Sequence, residues 1–78
     1  MAKVRVRLFA RLREEFGEKE IELEARNVED IVKALKISNA GKILIAINNR
    51  LINVSDAELR TELEDGDVVD LMPPFSGG

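Results

Sequence analysis

Residues 3–35, KVRVRLFARLREEFGEKEIELEARNVEDIVKAL, decide the fold. Val4, Val6 and Leu8 alternate with Lys3, Arg5 and Arg7, which predicts a strand with one buried face and one wet, basic face. Phe9, Leu12 and Phe16 are spaced for a turn or short helix packed on the core, and Gly17 breaks that segment. Glu20 to Glu24 alternate again around Ile21 and Leu23, giving a second strand joined to the first by a long connection. Asn27 then reads as a helix N-cap, with Asp30 as the acid of a weak capping box. Val28, Ile31, Val32 and Leu35 follow at i, i+3, i+4 and i+7, one apolar helical stripe.

Beyond this segment, Ile37 closes or leaves the stripe and Ser38-Asn39-Ala40-Gly41 ends the helix. Ile43 to Ile47 is a continuous apolar run that predicts a central strand. Asn48-Asn49 suits a type I′ turn, because Asn tolerates positive φ, and Arg50 to Val54 is expected to return as a fourth strand. Ser55-Asp56-Ala57-Glu58 has the pattern of a second capping box, with Leu59 and Leu63 one turn apart on a short helix. Asp65-Gly66-Asp67 is a turn, and Val68 to Met72 the last strand, stopped by Pro73-Pro74. The order β-β-α-β-β-(short helix)-β is the α+β pattern of a β-grasp, or ubiquitin-like, fold. It predicts a mixed sheet of about five strands, one main helix across it and a short second helix. Each element has one apolar face, and one helix laid on a curved sheet buries all of them. The domain is expected over residues 1–72, with a tail over 73–78.

Composition narrows the chemistry. The chain has 78 residues, no Cys and no His. Thiol nucleophiles, Cys/His zinc sites and His general bases are therefore excluded. No glycine-rich phosphate loop is present. The formal net charge is −3 and the aromatics are three Phe, which argues against nucleic-acid binding. With no apolar run of membrane-span length and no signal-peptide core near Met1, the expectation is a soluble cytoplasmic protein. Charge is segregated. Lys3, Arg5, Arg7, Arg11 and Arg13 precede the first acid, and acids dominate the last third. Such faces are either solvated and mutually paired or a docking face for a partner protein.

The tail, Pro73-Pro74-Phe75-Ser76-Gly77-Gly78, carries the one candidate reactive group. Two glycines leave a main-chain carboxylate with no Cβ beside it, so the tail can thread a narrow channel. Residues 75–78 span roughly 13–14 Å when extended. In the last strand Val69 and Leu71 are expected to point inward, and Val68, Asp70 and Met72 outward beside Arg5 and Arg7. Met72 and Phe75 are then exposed apolar groups at the tail exit. A free carboxylate is a poor acyl donor until an ATP-using enzyme turns it into an acyl-adenylate. A sulfur nucleophile then gives a thiocarboxylate, and a lysine amine gives an isopeptide bond.

Phe9-Ala10-Arg11-Leu12-Arg13-Glu14, Asp65-Gly66-Asp67 and Leu71-Met72-Pro73-Pro74-Phe75-Ser76-Gly77-Gly78, taken together in register, resemble the MoaD/ThiS sulfur-carrier family, and its MoaD branch in particular. The resemblance implies a carrier with no catalytic side chains and no bound cofactor. Gly78 would be adenylated with ATP by a ubiquitin-activating-type adenylylating enzyme and converted to a thiocarboxylate. The large subunit of molybdopterin synthase would accept the tail for molybdenum or tungsten cofactor synthesis. Gly77 and Ser76 would keep the approach slim, and Phe75, Met72, Arg5 and Arg7 would dock partners. The same adenylate leaves open a ubiquitin-like modifier joined through Gly78 to lysines, and a thiamine-type sulfur carrier. Asn49 stands where the family commonly has Gly, and Phe75 is bulkier than the usual residue there.

Overall fold

The computed structural model describes residues 1–36, 43–52 and 56–73; for Asp56 and Ala57 it describes the backbone alone. Five strands form one mixed sheet: β1 (Ala2–Leu8), β2 (Glu20–Ala25), β3 (Leu44–Ile47), β4 (Arg50–Ile52) and β5 (Val68–Met72). Their spatial order is β2-β1-β5-β3-β4. β1 and β2 are antiparallel, β1 and β5 parallel, and β3 pairs antiparallel with both β5 and β4. Three helices join them: α1 (Ala10–Phe16), α2 (Val28–Ala34) and α3 (Asp56–Leu59). This is the β-grasp arrangement expected from the sequence. Among the described residues no helix is long and apolar enough to cross a membrane.

The register explains the alternation. Val6 sits opposite Ile21 on one side and Val69 on the other, Leu71 lies between Leu8 and Ile45, and Ile45 faces Ile52. These residues line one face, which α2 covers with fully buried Val28 and Ile31. α2 forms where predicted. The Asn27 side chain accepts from the Asp30 N–H at 2.9 Å. The Asp30 carboxylate in turn accepts from the N–H of Arg26, one residue before the cap. α1 ends at Gly17, whose φ of 70° is the left-handed C-terminal cap that glycine takes without penalty.

The Ile43–Ile47 run supplies an interior strand, as expected, and the middle strand is β5. The connection between β1 and β2 takes the helical form, α1, which makes a third helix beside the two of the expected order. One detail differs from expectation. Leu63 is buried but lies past α3, in an extended stretch where Glu62 bridges Asn27 and the Leu63 N–H donates to the Arg26 carbonyl. Backbone pairing with the α2 entry draws that stretch out of helix. Ile37 and the 38–41 loop, Asn53, Val54 and Ser55 lie outside the described residues.

Asn48 and Asn49 both have positive φ, 50° and 68°, as a type I′ turn requires. Asn48 does more than turn the chain. Its side-chain carbonyl accepts from the Val68 N–H at 2.9 Å, and its amide donates to Asp67 at 3.0 Å. The Asp67 backbone carbonyl accepts from Arg5, while Asp65 accepts from the Lys3 N–H and Gly66 N–H donates to the Lys3 carbonyl. The Asp65-Gly66-Asp67 loop and the Asn48 turn together fix where β5 enters the sheet, and so where it leaves. Replacing Asn48 with Gly keeps the backbone angle and removes both side-chain bonds, so we expect a loss of about 1–2 kcal/mol in urea unfolding. A glycine variant as stable as the parent chain would refute this clamp.

Candidate functional site

The tail leaves the sheet at the end of its middle strand, so the site is built around the last turn of β1 and β5. Arg5 faces Val68, Arg7 faces Asp70 and Leu44 faces Met72 on the outer side of the sheet. Arg5, Arg7 and Met72, three of the residues expected to dock partners, therefore share one face. Phe75, Ser76, Gly77 and Gly78 lie outside the described residues.

The electrostatics of this face differ from a free basic pair. Arg5 pairs with Glu20 at 3.5 Å, diagonally across β1 and β2, and Lys3 pairs with Glu22 at 3.3 Å. Arg7 donates from Nε and Nη2 to the two carboxylate oxygens of Asp70, the second bond at 2.7 Å. This two-pronged geometry is the strong form of the Arg–carboxylate contact. Asp70, expected to face outward, does so and is nevertheless only 6% exposed. The Arg7 side chain covers it, and its neighbour on β3, Ala46, is itself buried. The hydrogen bond to Asp70, and next the Coulombic attraction of that carboxylate, raise the Arg7 pKa above its ordinary value. A raised cation stabilises the fold at every pH below its unfolded pKa and loses that contribution only above its folded pKa. Arg7 thus stays charged across the range in which proteins are handled.

Arg7 also reaches Asn49, whose side-chain oxygen accepts from Nη2 at 3.4 Å. Its guanidinium carbon sits 5.7 Å from the ring centroid of Phe9, within cation–π range. Phe9 is 39% exposed, so it is not the core residue its spacing suggested. Ala10, which follows, takes φ 51°, a left-handed value that is uncommon without glycine or Asn. Phe9 itself is extended, with φ −119° and ψ 150°, and continues the alternation of β1, so it follows buried Leu8 on the outer side while Leu12 stays buried. The Phe9 N–H donates to the Leu71 carbonyl at 3.2 Å, tying the start of α1 to the end of β5. Met72 is half-buried rather than exposed, packed in register with Leu44.

Asp70, Phe9 and Asn49 are the residues that reading the sequence left out of this site. The signal for Asp70 was present. An acid inside the apolar run Val68-Val69-Asp70-Leu71-Met72 of a middle strand needs a fixed cation, and Arg7 is the one in register.

The ThiS family profile matches residues 6–78. The chain belongs to the ThiS family. It is a ubiquitin-like sulfur carrier of the ThiS/MoaD type, and proteins of this family are small carriers that act with partner enzymes. Its structure is similar to that of small archaeal modifier protein 1 (SAMP1) from Methanosarcina acetivorans, at 33% identity over 100% of this chain and 98% of that one, with a TM-score of 0.82. It is also similar to a chain in the complex of subunits 1 and 2 of molybdopterin-converting factor from Helicobacter pylori 26695, at 31% identity, 97% and 99% coverage and a TM-score of 0.71. The thiamine biosynthesis protein ThiS from Geobacter metallireducens shares the fold, at 22% identity, 95% and 99% coverage and a TM-score of 0.61. Comparison with curated proteins gave no match. In this ThiS-family chain the outer face divides in two. The β1–β2 half carries paired charges, and the β5–β3–β4 half carries Met72, Leu44, Ala46 and the 66% exposed Leu51.

Proposed function

We propose that this chain is the small subunit of a molybdopterin synthase and carries sulfur as a thiocarboxylate on Gly78, in the cytoplasm. The observation that carries the reading is the H. pylori relative, which is 31% identical, matches nearly end to end and is found in complex with subunit 2. The Pro73-Pro74 root and Gly77-Gly78 ending agree with it. A carboxylate oxygen of Gly78 attacks the α-phosphorus of ATP on an activating enzyme and pyrophosphate leaves. Hydrosulfide-level sulfur then attacks the acyl carbon, AMP leaves, and the thiocarboxylate remains. ATP is the activating partner's substrate, and the carrier itself holds no cofactor. Ser76 and Gly77 give the tail its slim approach to each partner. Met72, Phe75 and the Arg5–Arg7 face meet the partner outside the channel. The synthase large subunit receives the tail and passes its sulfur to a pterin precursor.

A second reading has its own support. The M. acetivorans relative, 33% identical over the full chain, is a protein modifier by name. In that reading Gly78 ends on a lysine amine, with AMP leaving from the same adenylate. One experiment separates the two. The chain is incubated with ATP, a sulfur source and the activating enzyme from the same cells, and its intact mass is measured. Replacement of one oxygen by sulfur, reversed when the large subunit and pterin precursor are added, is the expected result. An unchanged mass, with lysine peptides bearing a branched tail remnant recovered from the cells, would replace the synthase reading with the modifier one.

A further inference from the structure

Three bases alternate along the outer face of β1, and three acids along the outer face of β2. The strand register sets Lys3 opposite Glu24, Arg5 opposite Glu22 and Arg7 opposite Glu20. No base is paired with the acid it faces. Lys3 pairs with Glu22 at 3.3 Å and Arg5 with Glu20 at 3.5 Å, each one step along β2, while Arg7 turns the other way to Asp70 on β5. Glu24, exposed at the far end, has no ion pair among the described residues. Three bases thus serve the four acids of this face, and one acid is left over.

Burial decides which one. The Asp70 side chain is 8% exposed, against 51% for Glu20 and 54% for Glu22. A carboxylate withdrawn from water needs a cation, whereas an exposed one is served by water and gains little from a base. Asp70 therefore holds Arg7. Behind Asp70, Glu20 is the other carboxylate that raises the Arg7 pKa, so it stands ready as the second choice. With Arg7 drawn away, Glu20 is open to Arg5 and Glu22 to Lys3. Without Asp70, each base would fall on the acid it faces: Arg7 on Glu20, Arg5 on Glu22 and Lys3 on Glu24.

We infer that these charges form a ladder with two settings, and that the covered carboxylate of Asp70 holds it in the one observed. Lys3 and Arg7 are four residues apart on β1, roughly 13 Å. The ladder couples the strand that carries the tail to the opposite end of the outer face, because each base moves only when its neighbour takes or vacates an acid. Such coupling is reciprocal. A cation held at Glu24 favours the observed setting, since it denies Lys3 its alternative acid. The right-handed twist of a strand pair also brings diagonal side chains together, but twist does not link one diagonal to the next. The ladder involves no step at Gly78 and stands apart from the sulfur-carrier reading.

The test is a set of nuclear Overhauser measurements on the full, isotope-labelled chain, between the last methylene protons of each base and the γ-protons of each glutamate. In the parent chain the stronger contact of Arg5 should be with Glu20, and that of Lys3 with Glu22. Asp70→Val removes the carboxylate and leaves Arg7 no acceptor at that position. It should move Arg7 to Glu20, Arg5 to Glu22 and Lys3 to Glu24. Adding Arg7→Leu removes the base that displaces Arg5, so the double variant should return Arg5 to Glu20 and Lys3 to Glu22. Glu20→Gln, an exposed change that leaves Arg7 on Asp70, keeps the test decisive if the Asp70 variants do not fold. It should send Arg5 to Glu22 and Lys3 to Glu24, although Lys3 has no ion pair with residue 20. Lys3 remaining on Glu22 in either single variant, or Arg5 remaining on Glu22 in the double variant, would overturn the ladder and leave only the diagonals that twist produces.

Discussion

A chain lacking Gly77 and Gly78 should form no thiocarboxylate while unfolding at the same urea concentration as the full chain. Reach decides the outcome. Removing two residues withdraws the terminal carboxylate by roughly 7 Å along an extended tail. Reacting atoms must meet at ~3–3.5 Å, and a misplacement of about 1 Å can already cost about a hundredfold in rate. No thiol can carry the sulfur in its place, because the sequence has no Cys. The deletion leaves the hydrogen bonds that seat β5 untouched, since these run from Asn48, Lys3, Arg5 and Phe9 to residues no later than Leu71. Mass spectrometry after incubation with ATP, sulfur source and activating enzyme gives the first readout, and denaturation the second. If the truncated chain still took up sulfur, Gly78 would not be the carrier site. If every partner interaction and cellular role also survived, the chain would be a β-grasp interaction module with an idle tail.

The fold was legible wherever one face of an element had to be dry. Val4, Val6, Leu8, Ile21 and Leu23 announce β1 and β2 by alternation, and Asn27 with Val28 and Ile31 announces α2 by a cap and a stripe. These signals are local, and each is enforced by burial in the finished structure. Strand order is a long-range property: the apolar Ile43–Ile47 run marks an interior strand, which β3 is, but nothing local marks Val68–Met72 as the middle one. Leu63 was legible as core but not as extended chain, because its conformation is set by Arg26, a residue distant in sequence. The outer face was harder still. Arg7 and Asp70 are 63 positions apart, and either one alone reads as a solvated charge. Only the parallel register of β1 and β5 turns them into a covered ion pair, with Phe9 drawn out beside it. The tail stands out in the sequence because no Cys thiol or His imidazole competes with it.

Ile31→Ala should bring the domain close to unfolding. Ile31 is fully buried, and with Val28 it is how α2 covers the sheet. Truncating a buried Ile removes transferred apolar surface and leaves a cavity, at a cost of about 2–5 kcal/mol. A chain of 78 residues has a total stability of roughly 4–12 kcal/mol, and small domains lie toward the lower end. The loss is therefore about half of what holds the fold, where the same change at a surface position would be lost in the scatter. Urea unfolding should show a large fall in the midpoint with little change in slope, since the surface exposed on unfolding is nearly the same. Two companions calibrate it. Ile31→Val should cost about 0.5–1.5 kcal/mol, and Leu51→Ala, at a position 66% exposed, should stay within about 0.5 kcal/mol of the parent. A cost below about 1 kcal/mol for Ile31→Ala would mean that the sheet closes over the gap and that α2 is not the keystone of the core. The measurement also bears on function. At temperatures where the Ile31→Ala chain remains folded, its tail still leaves from the end of β5, so it should take up sulfur as the parent does. A failure there would place part of the activating enzyme's recognition on α2 rather than at the tail exit.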